Sequence, residues 1–253
     1  MNKFLVGSAV LLLGAGAPAH AADWDGFYAG INAGYAEGQS GAKTSTVYSG
    51  GGYFTATSVP AIATTGAQNL NNGGFTGGAQ GGFNAQSGNL VYGAELDIDG
   101  LDLRDSKKST TTYPCCSPST FTISQSRKTD WLVTARPRLG WLSGDLLFYG
   151  TAGLAITKLG YKEKFTDTFG PALETANMDK TRLGWTAGGG LEAPIADQWT
   201  VKGEYLFADF GHVSTTSTNL IAYVPAVAYP QNVFTHRVGL EAHIFRVGAN
   251  YHF

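Results

Sequence analysis

Three residues near the end of one alternating segment have the types found in hydrolytic active sites: Asp209, His212 and Ser214. A carboxylate, an imidazole and a hydroxyl make a nucleophilic triad only when the fold places them in hydrogen-bonding order, whatever their spacing in the sequence. No nearby residues supply an oxyanion hole. The sequence therefore predicts that the protein is not an enzyme and has no catalytic residues.

The two cysteines, Cys115 and Cys116, are adjacent. Two isolated cysteines do not supply the four ligands of a structural zinc site. Neighbouring Cα atoms lie about 3.8 Å apart, closer than the roughly 4.4 Å at which disulfides usually begin. A strained vicinal disulfide, a bond to another chain and two free thiols remain open, and we assign the pair no functional role.

Tyrosine and histidine residues recur between the alternating segments, and both types can ligate haem iron. They are Tyr48, Tyr53, Tyr113, Tyr161, Tyr223, Tyr229, His212 and His236. Exposed tyrosines are also common in polar external loops that are rich in serine and threonine. The residue types alone therefore predict no cofactor and no metal, and they leave haem as an alternative.

The elements that position these residues are short segments in which apolar and polar residues alternate strictly. The last segment places Phe245, Val247 and Phe253 on one face and Arg246 and Asn250 on the other. Such alternation is typical of β-strands with two chemically different faces. The eight segments are 26–35, 74–85, 90–100, 131–141, 146–157, 182–193, 199–209 and 245–253.

Short and long connections between these segments alternate. The short ones are 86–89, 142–145 and 195–198, and the long ones are 36–73, 102–130, 158–181 and 211–235. This order is typical of a barrel with short periplasmic turns and long external loops. A soluble two-sheet sandwich alternates as well, but its connections need not alternate in length. We predict an all-β fold, an eight-stranded antiparallel up-and-down transmembrane β-barrel with long external loops.

Aromatic residues lie near both ends of the apolar face, as expected of the two girdles that mark the membrane interfaces. Trp131 and Trp141 share this face, and at about 3.3 Å per residue and about 40° tilt they span about 25 Å of membrane. The predicted girdle residues are Phe27, Tyr35, Phe75, Phe83, Trp131, Trp141, Phe245 and Phe253.

The polar face of the strands carries charged residues, and a narrow barrel must enclose them. The predicted lumen network is Glu95, Asp97, Asp99, Arg136, Arg138, Glu192, Lys202, Glu204 and Arg246. An interior that side chains just fill requires enclosed charges to be paired and hydrogen-bonded. The acidic third strand beside the basic fourth predicts a ladder of Glu95 and Asp97 opposite Arg136 and Arg138. We interpret the network as a polar plug, with a narrow ion path as the alternative.

The N-terminus has the features of a secretory signal peptide: Lys3, an apolar run from Phe4 to Ala17, and the cleavage motif Ala19-His20-Ala21. The predicted organisation is a signal peptide at 1–21 and a barrel at 22–253. No other run is apolar for about 18 residues, as a transmembrane helix requires. The formal charge of −2 is too small to indicate a nucleic-acid partner.

Several of these segments also resemble a known family. The stretches WDGFYAGINAGY, VYGAELDIDG, ARPRLGW, GWTAGGGLEAPI, KGEYLFADFG and RVGANYHF are similar to those of small outer-membrane β-barrel proteins, the OmpA-like, porin-type surface antigens and hemin-binding proteins. The resemblance covers all eight strands but not the loops. It implies export to the bacterial outer membrane and an assembly signal at Tyr251 and Phe253 that the barrel-assembly machinery reads.

Two features depart from a regular strand pattern. Pro137 lacks the backbone N–H that a strand between two neighbours uses, which predicts a bulge or a local gap in the ladder. The apolar parity shifts between Ile244 and Phe245. This shift predicts either a bulge or an upper half that projects beyond the membrane.

We therefore expect a monomeric surface and structural protein that contributes to envelope integrity and presents four loops. A hemin-binding protein, a narrow passive pore and a lipid-modifying enzyme are the alternatives. Its expected partners are outer-membrane lipid, lipopolysaccharide and the assembly machinery. Basic residues near the outer strand ends either pair with lipopolysaccharide phosphates or lie in ordinary solvated loops. They are Lys107, Lys108, Arg127, Lys128, Lys158, Lys162, Lys164, Lys180 and Arg182.

Overall fold

The computed structural model describes residues 24–253, and the predicted signal peptide at 1–21 lies outside the described residues. The elements are β1 (Gly26–Gln39), β2 (Gly41–Thr46), α1 (Ser58–Thr65), β3 (Ala67–Asn69), β4 (Asn72–Ser87), β5 (Leu90–Thr112), β6 (Thr120–Ser143), β7 (Leu146–Asp167), β8 (Leu173–Ala196), β9 (Trp199–Ser217), β10 (Ile221–Ala222), β11 (Val227–Ala228) and β12 (Phe234–His252). Within that range, no helix combines the length and the apolar character needed to cross a membrane.

Eight antiparallel strands close into a ring in the order β1, β4, β5, β6, β7, β8, β9 and β12. The last strand pairs back with the first, from Tyr28 opposite His252 to Gln39 opposite Glu241. Closure gives the backbone groups of the ring a hydrogen-bonding partner without help from water, as a lipid environment requires. The predicted eight-stranded antiparallel barrel is confirmed.

The strands are much longer than the sequence pattern predicts. β5 and β6 stay paired from Leu90–Trp141 up to Thr112–Thr120, and β7 and β8 stay paired up to Thr166–Leu173. The predicted loops at 102–130 and 158–181 are therefore wrong, because most of each is strand. The 24 residues of β6 rise about 60 Å along the barrel axis at about 3.3 Å each and about 40° tilt. That is more than twice the height of an apolar band, so the strands extend well beyond the membrane. In this upper part the ring is not continuous, because β4 pairs with β5 only up to Thr76–Leu101 and β8 with β9 only up to Trp185–Asp209.

The outward face changes its chemistry along each long strand. On β7, Leu154 and Ile156 are exposed in the lower half, whereas Lys162 and Lys164 are exposed in the upper half. The buried residues reverse in the same way, with Leu159 and Phe165 fully enclosed in the upper half. The alternation of buried and exposed positions stays in step, so only the solvent outside the barrel changes, from lipid to water. Apolar residues face out where the solvent is lipid and face in where it is water.

This reversal also explains the parity shift in the last strand. Ile244 is buried and Phe245 is exposed, and burial alternates regularly through both. A bulge at this point is therefore a wrong prediction, and the second interpretation, an upper half that projects from the membrane, agrees with the structure. The irregularity lies in the neighbouring strand β9, where an extra residue at Gly211 interrupts the pairing with β12. Gly211 has a φ of +62°, a conformation that favours glycine.

Pro137 produces a local gap, one of its two predicted outcomes. The ladder between β6 and β7 is interrupted between the pairs Ala135–Leu154 and Arg138–Thr151, with the same number of residues on each strand. The register therefore does not shift. The hydroxyl of Thr151 donates to the carbonyl oxygen of Pro137 at 2.8 Å, which satisfies that acceptor within the gap.

The predicted long loop at 36–73 contains ordered elements. β2 continues the edge of β1 and pairs with the upper end of β12, from Ala42 opposite Val238 to Thr46 opposite Phe234. Helix α1 follows, and Ile62 buries its side chain at the extracellular end. The amide of Gln125 on β6 donates to the Gly66 carbonyl at 3.0 Å. The segment therefore closes the upper end of the barrel.

Side chains fill the interior in five layers that alternate in polarity. By the rule that short turns face the periplasm, the lowest layer lies at the periplasmic end. The lowest layer is Trp24, Val91, Leu142, Leu147 and Tyr149. The charged layer above it contains the nine predicted lumen residues.

The middle apolar layer includes Ala36, Leu101, Leu103, Leu132, Leu159, Tyr161, Met178, Leu206, Phe210, Val238, Leu240 and Ile244. The upper polar layer is Thr44, Gln125, Glu163, Glu174, Ser217 and His236. The outer apolar layer includes Phe54, Ile62, Tyr113, Phe121, Ile123, Phe165, Leu220 and Phe234.

Candidate functional site

The structure places all nine predicted lumen residues inside the barrel, each at most 5% exposed. They project from β5, β6, β8, β9 and β12. On each of these strands the charged residue takes the inward position because its sequence neighbours, such as Leu96 between Glu95 and Asp97, face outward. The periodicity of two thus brings residues together that lie up to about 150 positions apart in the sequence.

The expected ladder between β5 and β6 is correct for one pair. Glu95 lies directly opposite Arg136, but Asp97 lies opposite Thr134 and Arg138 opposite Gly93. The charged residues instead contact one another diagonally and across the lumen. Strand register fixes neighbours along the wall, whereas the ion pairs depend on the reach of the side chains into the centre.

Arg136 lies at the centre of the charged layer, with a fully buried side chain. Its Nη2 atom is 2.7 Å from Glu95 Oε1 and 2.8 Å from Asp97 Oδ2, and its Nη1 atom is 3.1 Å from Glu204 Oε1. Its Nε atom donates to the hydroxyl of Thr134 at 3.1 Å. One guanidinium therefore holds carboxylates from β5 and β9 together across the lumen.

Arg246 and Lys202 complete the pairing of these carboxylates. Arg246 donates to Asp97 at 2.6 Å, to Asp99 at 3.0 Å and, through Nε, to Glu204 at 2.7 Å. The ammonium of Lys202 lies 2.8 and 2.7 Å from the two oxygens of Glu95. Each carboxylate of the group contacts at least one cation.

Arg138 forms a second centre nearer the periplasmic end. It donates to Glu192 at 2.7 Å and to the hydroxyl of Tyr28 at 3.0 Å, and its guanidinium lies 4.1 Å from the ring centre of Tyr149. Tyr28 donates in turn to Glu95 at 2.7 Å, which joins the two centres. The two tyrosines escaped the sequence analysis, although the position of Tyr28 between Phe27 and Ala29 marks it as inward-facing.

The layer is a closed, paired network of five carboxylates and four cations. Removing such charges from water is costly, and the cost is recovered only when ion pairs and hydrogen bonds satisfy them. Every charged side chain of the layer contacts an oppositely charged one. The geometry is that of a polar plug that braces opposite walls.

The predicted girdle residues lie on the outward face. Seven of them are between 45% and 74% exposed: Phe27, Tyr35, Phe75, Phe83, Trp141, Phe245 and Phe253. Trp131 also faces outward, but it is less exposed than these seven because it is half-buried. The rings of Phe27 and Phe83 pack 5.0 Å apart, and those of Tyr251 and Phe253 pack 5.2 Å apart. Trp185, Trp199 and Tyr205 extend the band and were missed.

The residues with catalytic types are not brought together. The carboxylate of Asp209 accepts a hydrogen bond from the backbone of Gly211 at 2.7 Å, within the bulge of its own strand. His212 and Ser214 point to the outside of the barrel and are exposed. Among the described residues, no hydrogen bond joins the three, so they do not form a triad.

The cysteines and most of the tyrosines of the predicted loops lie at the extracellular end. The hydroxyls of Tyr53 and Tyr113 both donate to Asp167 at 2.7 Å. Tyr48 and Tyr223 are exposed, and Tyr161 is buried in the middle apolar layer. Cys115 and Cys116 form a vicinal disulfide in the turn between β5 and β6, which is the first of the three states that the sequence left open.

The basic residues at the outer strand ends fall into two groups. Lys108, Lys128, Lys158, Lys162 and Lys164 are exposed on the outer face above the apolar band. Lys107 and Lys180 are also exposed, but they lie opposite the buried Gln125 and Leu159, on the inward side of their strands. Arg127 is an exception, because its side chain points inward and the residue is only 2% exposed. Arg182 is half-buried and donates to the carbonyl oxygen of Phe210 at 3.3 Å. The buried Arg127 therefore fits neither of the two interpretations, phosphate pairing or an ordinary solvated loop.

The closed ring, its exposed apolar band and its paired lumen agree with a comparison of the sequence with known families. The family described as "Outer membrane protein beta-barrel domain" matches residues 7–253. The chain belongs to this family. It is an outer-membrane protein of the bacterial surface, as its relatives are.

Two relatives illustrate this membership. The 31 kDa outer-membrane immunogenic protein of Brucella melitensis biotype 1 is 35% identical over 239 residues, which cover 94% of this chain and 87% of that protein. The 22 kDa outer membrane protein of Rhizobium leguminosarum bv. viciae is 28% identical over 190 residues, which cover 75% of this chain and 66% of that protein. Among solved structures, the outer membrane protein OprG from Pseudomonas aeruginosa is similar with a TM-score of 0.48 and 11% identity, over 92% of this chain and 99% of that one.

Proposed function

We propose that the protein is a sealed, monomeric surface barrel that reinforces the outer membrane and presents its extracellular end to the outside, without catalytic activity. One observation carries the proposal: a layer of buried apolar side chains separates the two polar layers of the described interior. Ala155, Leu159, Leu206 and Ile244 lie between the two polar layers and are at most 2% exposed. A water-filled path would have to cross this apolar layer, which disfavours the passive pore.

The outer face supports a role in binding lipopolysaccharide. Ser124 of β6 lies between Lys108 of β5 and Lys164 of β7. Two residues further along β6, Ser126 lies opposite Lys162 of β7. This places lysines at neighbouring positions of one wall, just above the apolar band. Lysine ammonium groups and serine hydroxyls donate to phosphate, and charge-assisted bonds of this kind are strong. Barrel and lipid would then form a continuous outer layer.

A deletion strain tests the proposal. We expect loss of the gene to raise uptake of a hydrophobic fluorescent probe and sensitivity to detergent, and the parent protein to restore both. The double variant Lys162→Gln/Lys164→Gln should restore the barrier only partly at equal outer-membrane levels. Lys43→Gln, which neutralises an exposed lysine on β2, is the matched control and should restore it fully. An unchanged barrier in the deletion strain would contradict the proposal.

Hemin binding is the second candidate, and an aromatic cluster at the extracellular tip favours it. The ring of Tyr53 lies 5.3 Å from Tyr229, 5.8 Å from Tyr223 and 6.2 Å from Phe169. A flat aromatic ligand can stack on such rings, and a tyrosine can ligate haem iron. Titration of refolded protein with hemin should then give a shifted absorbance band that Tyr223→Phe weakens and Tyr92→Phe, on the apolar band, leaves unchanged. Equal bands for all three proteins would remove this candidate.

A further inference from the structure

The upper polar layer contains three buried ionisable side chains that contact one another. Glu163 projects from β7, Glu174 from β8 and His236 from β12, and each residue is at most 3% exposed. One ligand atom from each lies within 4.8 Å of the others. The residues are 73 positions apart at the extremes, so only the barrel brings them together.

The hydrogen bonds around this cluster leave two carboxylates short of partners. Neither oxygen of Glu163 and only one oxygen of Glu174 has a hydrogen-bonding partner in the described structure. The nearest cationic candidate is the imidazole, with Nδ1 4.0 Å from Glu163 and Nε2 3.6 Å from Glu174. The two carboxyl groups also contact each other, and burying both beside a single imidazole is expensive, so a cation would complete the cluster.

Aromatic rings lie above and below the cluster, and the buried Arg127 lies opposite Tyr161 in the register of β6 and β7. The ring of Phe234 lies nearly parallel to the imidazole at 6.2 Å, and the ring of Tyr161 lies 6.4 Å from it on the other side. A divalent cation would neutralise both carboxylates.

We propose that Glu163, Glu174 and His236 bind a divalent first-row transition metal, Zn²⁺ in the first place, in the extracellular half of the barrel. Zinc takes histidine nitrogen and carboxylate oxygen at about 2.0 to 2.2 Å in a tetrahedron, so ligand atoms lie about 3.4 Å apart. The contact of 3.6 Å between His236 and Glu174 is close to this value. One ligand atom of Glu163 lies within 4.8 Å of the other two, so this side chain must move closer to bind the same ion. Calcium and magnesium prefer all-oxygen sites, so the imidazole favours zinc.

Hydroxyl groups already orient the imidazole for this role. The hydroxyl of Thr44 lies 3.0 Å from Nδ1 of His236, and that of Ser217 lies 2.9 Å from Nε2. The Nε2 atom of Gln125 donates to Thr44 at 2.9 Å, which fixes this hydroxyl in turn. A metal at Nε2, the nitrogen beside Glu174, would replace the Ser217 contact, and the Thr44 hydroxyl at the other nitrogen would fix the ring and its tautomer. The three residues supply three ligands, so a hydroxyl group or a water molecule would complete the tetrahedron, and the metal would join β7, β8 and β12.

Metal content is the direct test. Untagged protein covering residues 22–253 is refolded in detergent with ZnCl2, dialysed against a weak chelator and analysed for metal by mass spectrometry. The expected result is about one zinc per chain for the parent and less than about one-tenth for Glu163→Gln and for His236→Gln. Glu241→Gln, an exposed glutamate of β12, is the matched control and should retain the metal. Equal retention by parent and Glu163→Gln, or none by the parent, would overturn the proposal.

A second measurement does not depend on the folding of any variant. X-ray absorption of the zinc-loaded parent should show only nitrogen and oxygen neighbours at about 2.0 to 2.1 Å. Sulfur neighbours at about 2.3 Å would place the metal at Cys115 and Cys116 and contradict the assignment. Zinc should also raise the unfolding temperature of the parent but not that of Glu163→Gln, because only a site formed in the folded state stabilises it. Equal shifts for both proteins would count against the site.

Discussion

At the scale of single residues, Arg136 carries the largest expected effect on stability. Arg136→Ala leaves the carboxylates of Glu95, Asp97 and Glu204 short of a buried partner, at a cost of about 3 kcal/mol in the free energy of unfolding. Arg104→Ala is the control, because its side chain is 61% exposed and its ion pairs are worth less than about 1 kcal/mol. Urea unfolding in lipid vesicles measures both. Equal midpoints for the two variants would show that the paired lumen does not stabilise the barrel.

Glu163 gives the protein a characteristic dependence on pH. Its pKa rises from 4.5 in the unfolded chain to about 10 in the folded protein, because of burial and the neighbouring Glu174, with His236 facing both. The folded state therefore holds more protons than the unfolded state between these values, so stability falls as the pH rises from about 5 to about 10.

Metal-free protein in EDTA shows this effect most simply. Glu163→Gln cannot lose a proton at this position, so its stability should fall less than that of the parent between pH 6 and about 10. Glu241→Gln, on the outer face, should follow the parent. The measurement is the midpoint of urea unfolding at each pH. Parallel profiles for parent and Glu163→Gln would contradict the assignment of this proton.

At the scale of elements, the bulge in β9 depends on one backbone conformation. Gly211 has a φ of +62° and no atom closer than 3.9 Å to an added Cβ, so the cost of alanine there is conformational. Gly211→Ala should lower the free energy of unfolding by about 1 to 2 kcal/mol. Gly203→Ala on the same strand, where an added Cβ meets nothing within 4 Å, should change it by much less. The same urea assay compares them, and an unchanged Gly211→Ala would mean that the bulge relaxes without strain.

The lower halves of the strands were predictable from the sequence and the upper halves were not. Below, Leu96 and Ile98 alternate with Glu95 and Asp97, and this pattern reveals strands with a lipid face and a polar lumen. In the upper halves, polar residues such as Lys162 face outward and apolar residues face inward. From the sequence alone, these polar residues indicate loops. The inward alternation of apolar residues in the stretch containing Phe121 and Ile123 was the available signal.

The upper polar layer could not be found from the sequence for a different reason. Glu163, Glu174 and His236 belong to three strands, and His236 lies on neither of the strands that carry the glutamates. The extended pairing of β7 and β8 places Glu174 opposite Phe165. Phe165 is two residues from Glu163 on β7, so this pairing is what brings the two glutamates close. A cluster of this kind depends on strand extension that the loop assignment had excluded.

At the scale of the whole molecule, the last residue tests how the barrel is assembled. Phe253 is 74% exposed at the periplasmic edge of the apolar band, where lipid would cover it, and its backbone N–H donates to Phe27 at 3.0 Å. Phe253→Ala removes about 1 to 3 kcal/mol of apolar burial, which is modest for eight closed ladders. The variant should refold in detergent with nearly normal thermal stability. By the family resemblance, it should accumulate poorly in the outer membrane of living cells.

The control for this prediction is Phe245→Ala, which removes an exposed ring of the same strand and keeps the terminal residue. It should reach the outer membrane at nearly the parental level. Immunoblots of outer-membrane fractions compare the three proteins. If Phe253→Ala accumulates as the parent does, the terminal residue serves the girdle alone and not an assembly signal.

The proposed sealed interior is the central property of the whole molecule, and single-channel recording in planar lipid bilayers tests it most directly. The middle apolar layer, with Leu159, Leu206 and Ile244 buried between two polar layers, is the barrier that ions would have to cross. Refolded protein at high salt should therefore show no stable conductance steps, whereas a porin recorded in parallel should show them. Regular, long-lived steps from this protein would contradict the account, because they would mean that the layered interior is open to ions.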